Sequence, residues 1–508
     1  MFSVSFWWIR TSFLVILISL FCNLTGLWRD VLITAKFGAT LVTDAYFVAL
    51  LIPEALFQIF GSSLAVNFVP LYYEAEKAGR HRQLVANLFC LYLLLASLLF
   101  LLGLANTNRL ITLFSSGFSG LAVETAAFLL RLFLANIFFI TIANLCLAFL
   151  QAHNRFLISS AIALFYNFAV IAGTYYQGPA LPLYALIGGT LVGYILLFVL
   201  QLPQAIALGL PAPAWPSTLF PELKKYLLLG IPVALLALLK KLTVALENYF
   251  ATHQGVGSIT SLNLGFQGFI LLYSTFIISI MFIVYPALTK SIVRKNFQST
   301  VLTLQKIINL LCIVLVPMAI YFCVQAVPIV DFVFRRGALT LKQSELIAIV
   351  FQGYTIGLFF YALRDLLLRY YFAEYNFRIL IFNGVVDASL NYIYLLIFVP
   401  LIGLPGIAVA ATLSVVSSCL LLLVLGGKQN PVLGNLKFFQ PGATALASTG
   451  ISLMVVLVLK PSLPLLWPGV DGLHRLIQLG TEFFIFAVAY SLLLFLLGKS
   501  RSLGLFTK

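Results

Sequence analysis

The chain of 508 residues is 62% hydrophobic and only 9% charged, with a mean hydropathy of +1.08. Because a soluble domain carries about 25% charged residues, this composition excludes a soluble enzyme, a disordered chain and a small disulfide scaffold. The unbroken apolar runs also exclude a transmembrane β-barrel, whose strands alternate apolar and polar residues. The net charge of +15 comes from scattered basic residues, which is typical of membrane-flanking loops and gives no indication of a nucleic-acid partner.

About fourteen apolar segments are long enough to cross a membrane as helices. In chain order they lie near 12–36, 45–70, 86–105, 121–150, 157–177, 182–203, 226–252, 261–288, 303–325, 346–372, 379–399, 404–426, 440–460 and 476–498. We interpret the first as a retained helix, because no small-residue cleavage site follows its apolar run. The sequence therefore predicts an all-α polytopic membrane protein.

A proline-rich stretch suggests how the segments are grouped. We predict an N-terminal six-helix lobe over 1–205, a proline-rich cytoplasmic linker over 206–225 and a second six-helix lobe over 226–427. Residues 428–508 then hold two extra transmembrane helices and a cytoplasmic tail. The loops on the side of the N-terminus are richer in Lys and Arg, with Arg335 and Arg336 as the exception, so both termini are expected in the cytoplasm.

The sequence lacks the motifs of the commoner enzyme classes. It contains no GxxxxGK[ST] phosphate loop, no HExxH zinc motif and no GxSxG nucleophile elbow. The six cysteines lie at irregular distances inside apolar runs and the four histidines are far apart, so no metal site is predicted. We expect neither a catalytic residue nor a cofactor.

Ionisable residues inside the predicted spans are the main evidence for a site. Each costs about 2.5–3.5 kcal/mol at the centre of a membrane helix, so it normally faces a bundle interior or a wet cavity. Such residues are Arg29 and Asp30 in the first span, Asp44 and Glu54 at the second, Lys240, Lys241 and Glu247 in the seventh, and Arg364, Asp365 and Arg369 in the tenth.

Arg29 is the strongest candidate for binding a substrate. A guanidinium stays charged in any environment and donates two parallel hydrogen bonds to phosphate oxygens. An alternative is a structural ion pair of Arg29 with Asp30 or Asp44. Lys240 and Glu247 lie seven residues apart on one helix, about 10 Å along its axis, and could line one cavity or form a buried pair between helices.

The acids and bases of the later spans give a more structural prediction. Asp365 and Arg369 stand at i,i+4 with the acid first, which favours a local ion pair and leaves Arg364 as the freer cation. Asp387 and Glu482 are isolated along the sequence, and either could titrate or bind a cation.

Several segments resemble the MurJ/MviN lipid II flippases of the multidrug/oligosaccharidyl-lipid/polysaccharide exporter superfamily. The specific part of the likeness is the opening signature, at 26–30 (GLWRD), 35–39 (AKFGA), 43–49 (TDAYFVA), 52–53 (IP) and 67–70 (NFVP). Weaker matches follow in order at 116–118 (SGF), 154–156 (NRF), 257–263, 285–288 (YPAL) and 336–337 (RG). The similarity extends over nearly the whole chain.

The resemblance implies a fourteen-helix, two-lobe fold that works by alternating access. It implies as cargo an undecaprenyl-pyrophosphate-linked saccharide for peptidoglycan biosynthesis, moved from the cytoplasmic to the outer leaflet of the bacterial inner membrane. It also places Arg29, Asp30 and Asp44 at functional positions of the motif. Membrane lipid, a coupling cation and other cell-envelope synthesis proteins are further candidate partners.

The chain departs from the family where the family carries arginine. Asn23, Phe57, Gln58 and Gln267 stand at such positions, and Lys240, Lys241 and Arg364 are the obvious substitutes. The carried glycan therefore stays open between lipid II and another lipid-linked polysaccharide precursor. A cation-coupled drug exporter, a membrane glycosyltransferase and a non-transporting scaffold are the alternatives of other classes.

Overall fold

The computed structural model describes residues 2–176, 182–215, 221–278, 280, 297–374, 376–429, 440–459 and 472–498, and every regular element among them is a helix. The first half contains α1 (Phe2–Phe37), α2 (Leu41–Lys77), α3 (His81–Ala105), α4 (Thr107–Phe114), α5 (Leu121–Phe133), α6 (Asn136–Ala152), α7 (Phe156–Tyr175), α8 (Pro182–Val199), α9 (Leu202–Ala207) and α10 (Pro221–Thr252). The second contains α11 (Ser258–Tyr273) with a π-helical turn (Ser274–Ile278), α12 (Phe297–Val324), α13 (Ala326–Phe334), α14 (Leu341–Thr355), α15 (Leu358–Ala373), α16 (Phe377–Ile402), α17 (Pro405–Gln429), α18 (Gln440–Leu459) and α19 (Gly472–Gly498).

The helical prediction is confirmed, and its physical basis is the lack of water in a bilayer. Every backbone N–H and C=O there must be satisfied within the protein, and a helix does this within one segment. Ten helices in the described part of the chain are long and apolar enough to cross a membrane, or up to twelve if each of two bent pairs counts as one. The predicted spans 157–177, 261–288 and 440–460 lie partly outside the described residues.

The two bent pairs correct the prediction of continuous spans. The predicted span 121–150 consists of α5 and α6, with a bend of 42° between them. The predicted span 346–372 consists of α14 and α15, with a bend of 45°. Hydropathy cannot show such a break, because the apolar composition continues through it. The short helices α4, α9 and α13 also lie in segments that the sequence treated as loops or span ends.

The chain divides into two compact units. Unit 1 comprises Met1–Asn263 with Arg336–Leu339, and unit 2 comprises Leu264–Arg335 with Thr340–Lys508. Helix α10 packs along α2 and belongs to unit 1, although the sequence assigned 226–252 to a second lobe. The proline-rich stretch therefore separates α10 from the earlier helices along the sequence, but α10 still packs with the helices of unit 1. The predicted lobe boundaries remain a prediction.

Glycines allow the closest helix packing in unit 1. A Cβ on Gly173 of α7 would lie 2.5 Å from the carbonyl oxygen of Ala185, and a Cβ on Gly189 of α8 would lie 2.7 Å from that of Ala169. Small residues let two membrane helices approach until their backbones touch, which maximises van der Waals contact where no hydrophobic effect drives association. Helix α7 in turn packs on α1, and this arrangement positions the site described below.

Several segments of unit 1 meet at the turn that connects α1 to α2, which we call the α1–α2 corner (residues 35–44). The backbone of Gly257, with a φ of +86°, passes so close that a Cβ would lie 2.6 Å from the Ala39 carbonyl oxygen. The backbone of Gly337, with a φ of +58°, passes closer still to Ala35, since a Cβ there would lie 2.1 Å from the Ala35 carbonyl oxygen, and that oxygen accepts a 2.7 Å hydrogen bond from Ala338.

In unit 2 an acidic side chain links two helices. Asp331 of α13 is 7% exposed and binds Arg335 at 2.8 Å and Arg475 of α19 at 2.8 Å. The hydroxyl of Tyr490 donates to the Ile313 carbonyl of α12 at 2.7 Å. Together these contacts attach α19 to α12 and α13.

Candidate substrate-binding site

Arg29 lies in a cluster of polar side chains inside unit 1. Its Nε and Nη2 donate to Asp30 Oδ1 at 2.8 and 2.7 Å, and its Nη1 donates to Asn167 Oδ1 at 3.2 Å. The guanidinium also stands 5.4 Å from the ring centroid of Tyr166, within cation–π range. Of the two acids considered as partners for Arg29, Asp30 is therefore the one that binds it.

The close packing of α1 and α7 positions this arginine. Asn167 Nδ2 donates to the Cys22 carbonyl at 3.1 Å and to Thr25 Oγ1 at 3.0 Å, so the amide is fixed on α1. A Cβ on Gly26 would lie 3.6 Å from the Asn167 amide, which shows how near the two helices are. With its nitrogen thus committed, the Asn167 oxygen faces Arg29.

The cluster retains unused hydrogen-bonding capacity. Asp30 is fully buried, and its Oδ2 has no hydrogen-bond partner among the residues that the structure describes. A guanidinium has five N–H donors, and the contacts of Arg29 within the described chain use three of them. Two N–H groups therefore remain for an anionic ligand, on a side chain that is 17% exposed.

Glu54 and Lys241 extend the cluster toward α2 and α10. The hydroxyl of Tyr194 donates to Glu54 Oε1 at 2.5 Å, and Glu54 lies within electrostatic range of both Asp30 and Lys241. Prediction from the sequence named Glu54 and Lys241 among the ionisable residues of the spans, but it did not pair them and did not include the tyrosines. The signal for Glu54 was its place directly after Pro53 inside an apolar span.

Three candidates from the sequence, Lys240, Lys241 and Glu247, lie on α10. Lys240 is exposed, and Lys241 and Glu247 are half-buried. Lys240 and Glu247 each have an interaction partner of their own. Among these three, Lys241 is the residue whose interaction with Glu54 connects it to the cluster.

Asp44 belongs to the α1–α2 corner. Its carboxylate accepts hydrogen bonds from the backbone N–H of Gly257 at 2.6 Å and of Thr260 at 2.8 Å, and from the Thr260 hydroxyl at 2.6 Å. These donors lie at the start of α11, where N–H groups have no partner within the helix. Asp44 is 2% exposed and acts as the cap of that helix.

In unit 2 the prediction that Arg364 is the freer cation is wrong. Its Nη1 binds Asp387 Oδ2 at 3.1 Å, and its guanidinium stands 5.6 Å from the Tyr361 ring. Asp387 is therefore not isolated either. The partner stands on the next helix, so spacing along one helix could not reveal it. The predicted pair of Asp365 with Arg369 is confirmed at 3.0 Å.

Glu482, the second acid that looked isolated, is also bonded. It is 1% exposed and accepts hydrogen bonds from the side-chain amides of Gln325 and Gln478. Its partners are uncharged, so the pattern of opposite charges along the sequence could not indicate them.

The structure also shows the side chains at the four positions where the resemblance predicts arginine. Phe57 is 5% exposed and packs with Ile140 and Tyr194 in an apolar cluster. Gln58 is exposed, and Asn23 and Gln267 are half-buried. At Phe57 an apolar ring thus fills space beside the tyrosine that binds Glu54.

Solved structures define the class of protein. A structure of lipid II flippase MurJ in an inward closed conformation aligns with a TM-score of 0.78 and 23% identity, covering 96% of this chain and 99% of that one. An inward-facing multidrug resistance transporter of the MATE family, in the MOP superfamily, aligns with a TM-score of 0.66 and 15% identity, covering 82% and 96%. The chain therefore has the polytopic helical fold of these membrane transporters.

Sequence comparison then identifies the family. Residues 33–467 match the family model described as lipid II flippase MurJ. The lipid II flippase MurJ of Burkholderia cenocepacia is 27% identical, with 85% of this chain and 87% of that protein aligned. The probable lipid II flippase MurJ of Vibrio cholerae is 26% identical over 80% of each. The chain belongs to the lipid II flippase MurJ family, and the resemblance found in the sequence is confirmed.

Proposed function

We propose that this protein is a flippase that moves a lipid II-like, undecaprenyl-pyrophosphate-linked cell-wall precursor across the cytoplasmic membrane by alternating access. Family membership supports the activity. The observation that supports a site in this chain is the Arg29 cluster, where two guanidinium N–H groups stay available on a side chain held by Asp30 and Asn167.

Each residue of the cluster has a distinct role in this proposal. Arg29 binds a phosphate oxygen of the cargo, because its charge is permanent and its donors are held in a fixed direction. Asp30 offsets the charge of Arg29 when no cargo is bound. Lys241, near Glu54, supplies a second positive charge. Asp44 acts indirectly, by fixing the α1–α2 corner from which α2 begins.

The remaining candidates have supporting roles. Lys240 and Glu247 tune the charge along α10, and Arg364, which is paired with Asp387, is a further candidate cation in unit 2. Energy comes from the membrane potential or a coupling cation. The potential provides about 2.3 kcal/mol per elementary charge per 100 mV. We place both termini in the cytoplasm of a bacterium, with other cell-envelope synthesis proteins as partners.

Complementation of a strain depleted of its own lipid II flippase tests the proposal. We expect the wild-type chain to restore growth and Arg29→Ala to abolish growth. Arg29→Lys should restore growth partly, because lysine keeps the positive charge but cannot donate two parallel hydrogen bonds. Arg109→Ala is the matched control, since Arg109 is an arginine on the exposed face of α4. Normal growth with Arg29→Ala, at equal membrane abundance, would contradict the role of the cluster.

Phe57 favours a second candidate cargo, another lipid-linked polysaccharide precursor. An apolar ring at a family arginine position removes one positive charge from the neighbourhood of Glu54. This candidate predicts that the wild-type chain fails to complement although it reaches the membrane, and that it transfers other polyprenyl-linked glycans between leaflets of proteoliposomes. Drug efflux in a sensitive strain separates both from a cation-coupled exporter.

A further inference from the structure

A polar cavity lies in unit 1, away from the Arg29 cluster. It has a volume of about 140 Å³ and opens where the ends of α2, α3 and α6 meet the segment after α9. Its lining consists of Tyr72, Glu76, His81, Arg82, Val85, Phe149, His153, Leu208, Gly209 and Pro211. Tyr72 and Glu54 are eighteen residues apart on α2, about 27 Å along its axis, so the two sites are distinct.

Three buried side chains and two imidazole rings contribute to the lining of this cavity. Tyr72, Val85 and Phe149 are buried. The ring of Tyr72 meets His81 edge-on at 5.6 Å between centroids and His153 edge-on at 5.4 Å. Two of the four histidines of the chain therefore flank one tyrosine.

Hydrogen bonding determines the form of His153. Its Nδ1 lies 2.9 Å from the Phe149 carbonyl oxygen, which can only accept, so this nitrogen carries a proton. In the neutral ring Nε2 is then the acceptor for the Tyr72 hydroxyl at 3.3 Å. Adding a proton makes Nε2 a donor, so the ring then presents a positive charge and an N–H toward Tyr72.

The charges around the cavity balance only while both imidazoles are neutral. Glu76 and Arg82 are exposed and carry opposite charges, and the segment after α9 contributes Leu208, Gly209 and Pro211, which have none. Each imidazole that gains a proton therefore adds a full positive charge. With its imidazole rings protonated, the cavity is therefore complementary to an anion.

Neighbouring ion pairs do not alter this balance. Arg80 binds Glu222 at 2.6 Å and Lys225 binds Glu74 at 2.6 Å, so each pair is neutral overall. Arg82 Nη2 would lie 3.6 Å from a Cβ on Gly209, which places the guanidinium against the segment that continues toward α10.

We propose that this cavity is a binding site for one phosphate group, carried by a soluble phosphate or by a lipid headgroup. Arg82 and the protonated ring of His81 are its donors, and protonated His153 adds positive charge while its two N–H groups stay on Phe149 and Tyr72. A cavity of this size is comparable to an engineered 150 Å³ cavity that holds benzene, so a phosphate group fits. The bound group contacts residues 208–211 and holds that segment against α3.

Calorimetry on the full-length protein in maltoside micelles, which contain no phosphate, tests this site. We expect saturable binding of inorganic phosphate or of short-chain phosphatidylglycerol at pH 6, and the tighter of the two identifies the source. Sulfate keeps its charge between pH 8 and pH 6, and we expect it to bind about tenfold more tightly at pH 6 because only the imidazoles change.

Substitutions locate the binding. Arg82→Gln and His153→Gln should each weaken it about tenfold, and Arg82→Lys should weaken it less. His253→Gln is the matched control, because His253 Nδ1 also lies 2.8 Å from the carbonyl oxygen of residue i−4, Tyr249, and its ring packs against the Tyr249 ring at 5.0 Å between centroids. We expect phosphate to slow hydrogen exchange in residues 208–214.

Four results would overturn the proposal. They are no saturable binding of any probe at pH 6, no tightening of sulfate binding from pH 8 to pH 6, equal binding by the variants and the wild type, and unchanged exchange in 208–214. Gel filtration of every variant confirms that loss of binding is not loss of folding.

Discussion

Asn167 determines the orientation of Arg29, so its substitution tests positioning separately from charge. Asn167→Ala removes the acceptor for Arg29 and both hydrogen bonds to α1, each worth about 1 kcal/mol. We expect the rate of leaflet transfer of lipid II in proteoliposomes to fall about tenfold. Asn144→Ala is the control, since the Asn144 amide bonds only within its own helix among the described contacts. An unchanged rate would show that Arg29 needs no support from α7.

Asp44 supports the fold rather than the chemistry, and its substitution tests this. Asp44→Asn keeps the shape but replaces one oxygen by a donor that faces the N–H of Gly257. A buried donor left unsatisfied costs about 1–3 kcal/mol, so we expect thermal unfolding in detergent at a lower temperature. Glu124→Gln, an exposed acid in the first turn of α5, should leave that temperature unchanged. Wild-type thermal stability with lost transport would instead indicate a direct role.

For individual residues, the sequence predicted which side chains belong to the site better than it predicted their interaction partners. Ionisable residues in apolar spans pointed to Arg29, Asp30 and Lys241. Arg29 and Asp30 form an ion pair, and Lys241 interacts electrostatically with Glu54. The partners that define the cluster are Asn167, Tyr166 and Tyr194. They lie more than a hundred residues away along the chain from the residues that they contact. Uncharged polar and aromatic side chains also do not indicate a site by themselves in a membrane protein rich in Phe and Tyr.

Among the elements, α7 and α8 offer a test of packing with a control one residue away. Gly189→Leu places a side chain against backbone atoms of α7, whereas Gly188 has open space around its Cβ position. Overpacking costs about 1–3 kcal/mol, so we expect Gly189→Leu to lower the unfolding temperature and Gly188→Leu to leave it unchanged. Thermal unfolding followed by gel filtration measures both. Equal stability of the two variants would mean that the helices can separate without cost.

Helix positions were predictable because apolar length determines them, while breaks and packing partners were not. The bends between α5 and α6 and between α14 and α15 occur within continuous apolar sequence. The place of α10 in unit 1 depends on contacts with α2, which no local pattern encodes.

For the whole molecule, the charge asymmetry of the loops makes a prediction about orientation. Ala78 follows α2 and Gln254 follows α10, and both are exposed. With both termini in the cytoplasm, a cysteine at 78 should react with a membrane-impermeant thiol reagent only after permeabilisation, and one at 254 in intact cells. The wild-type chain, with its six free cysteines, provides the background. The reverse pattern would invert the orientation.

The contacts at the α1–α2 corner explain why some of the sequence segments that identify this family are retained. Gly257, Gly337 and Asp44 all belong to segments that carried the likeness, and here they serve as close backbone contacts and a helix cap. A distant homologue can therefore keep these segments because its fold requires them, even when the molecule that it transports is different. Ligand assignment across such homologues is better founded on the side chains around Arg29 and Phe57, which architecture leaves free to vary.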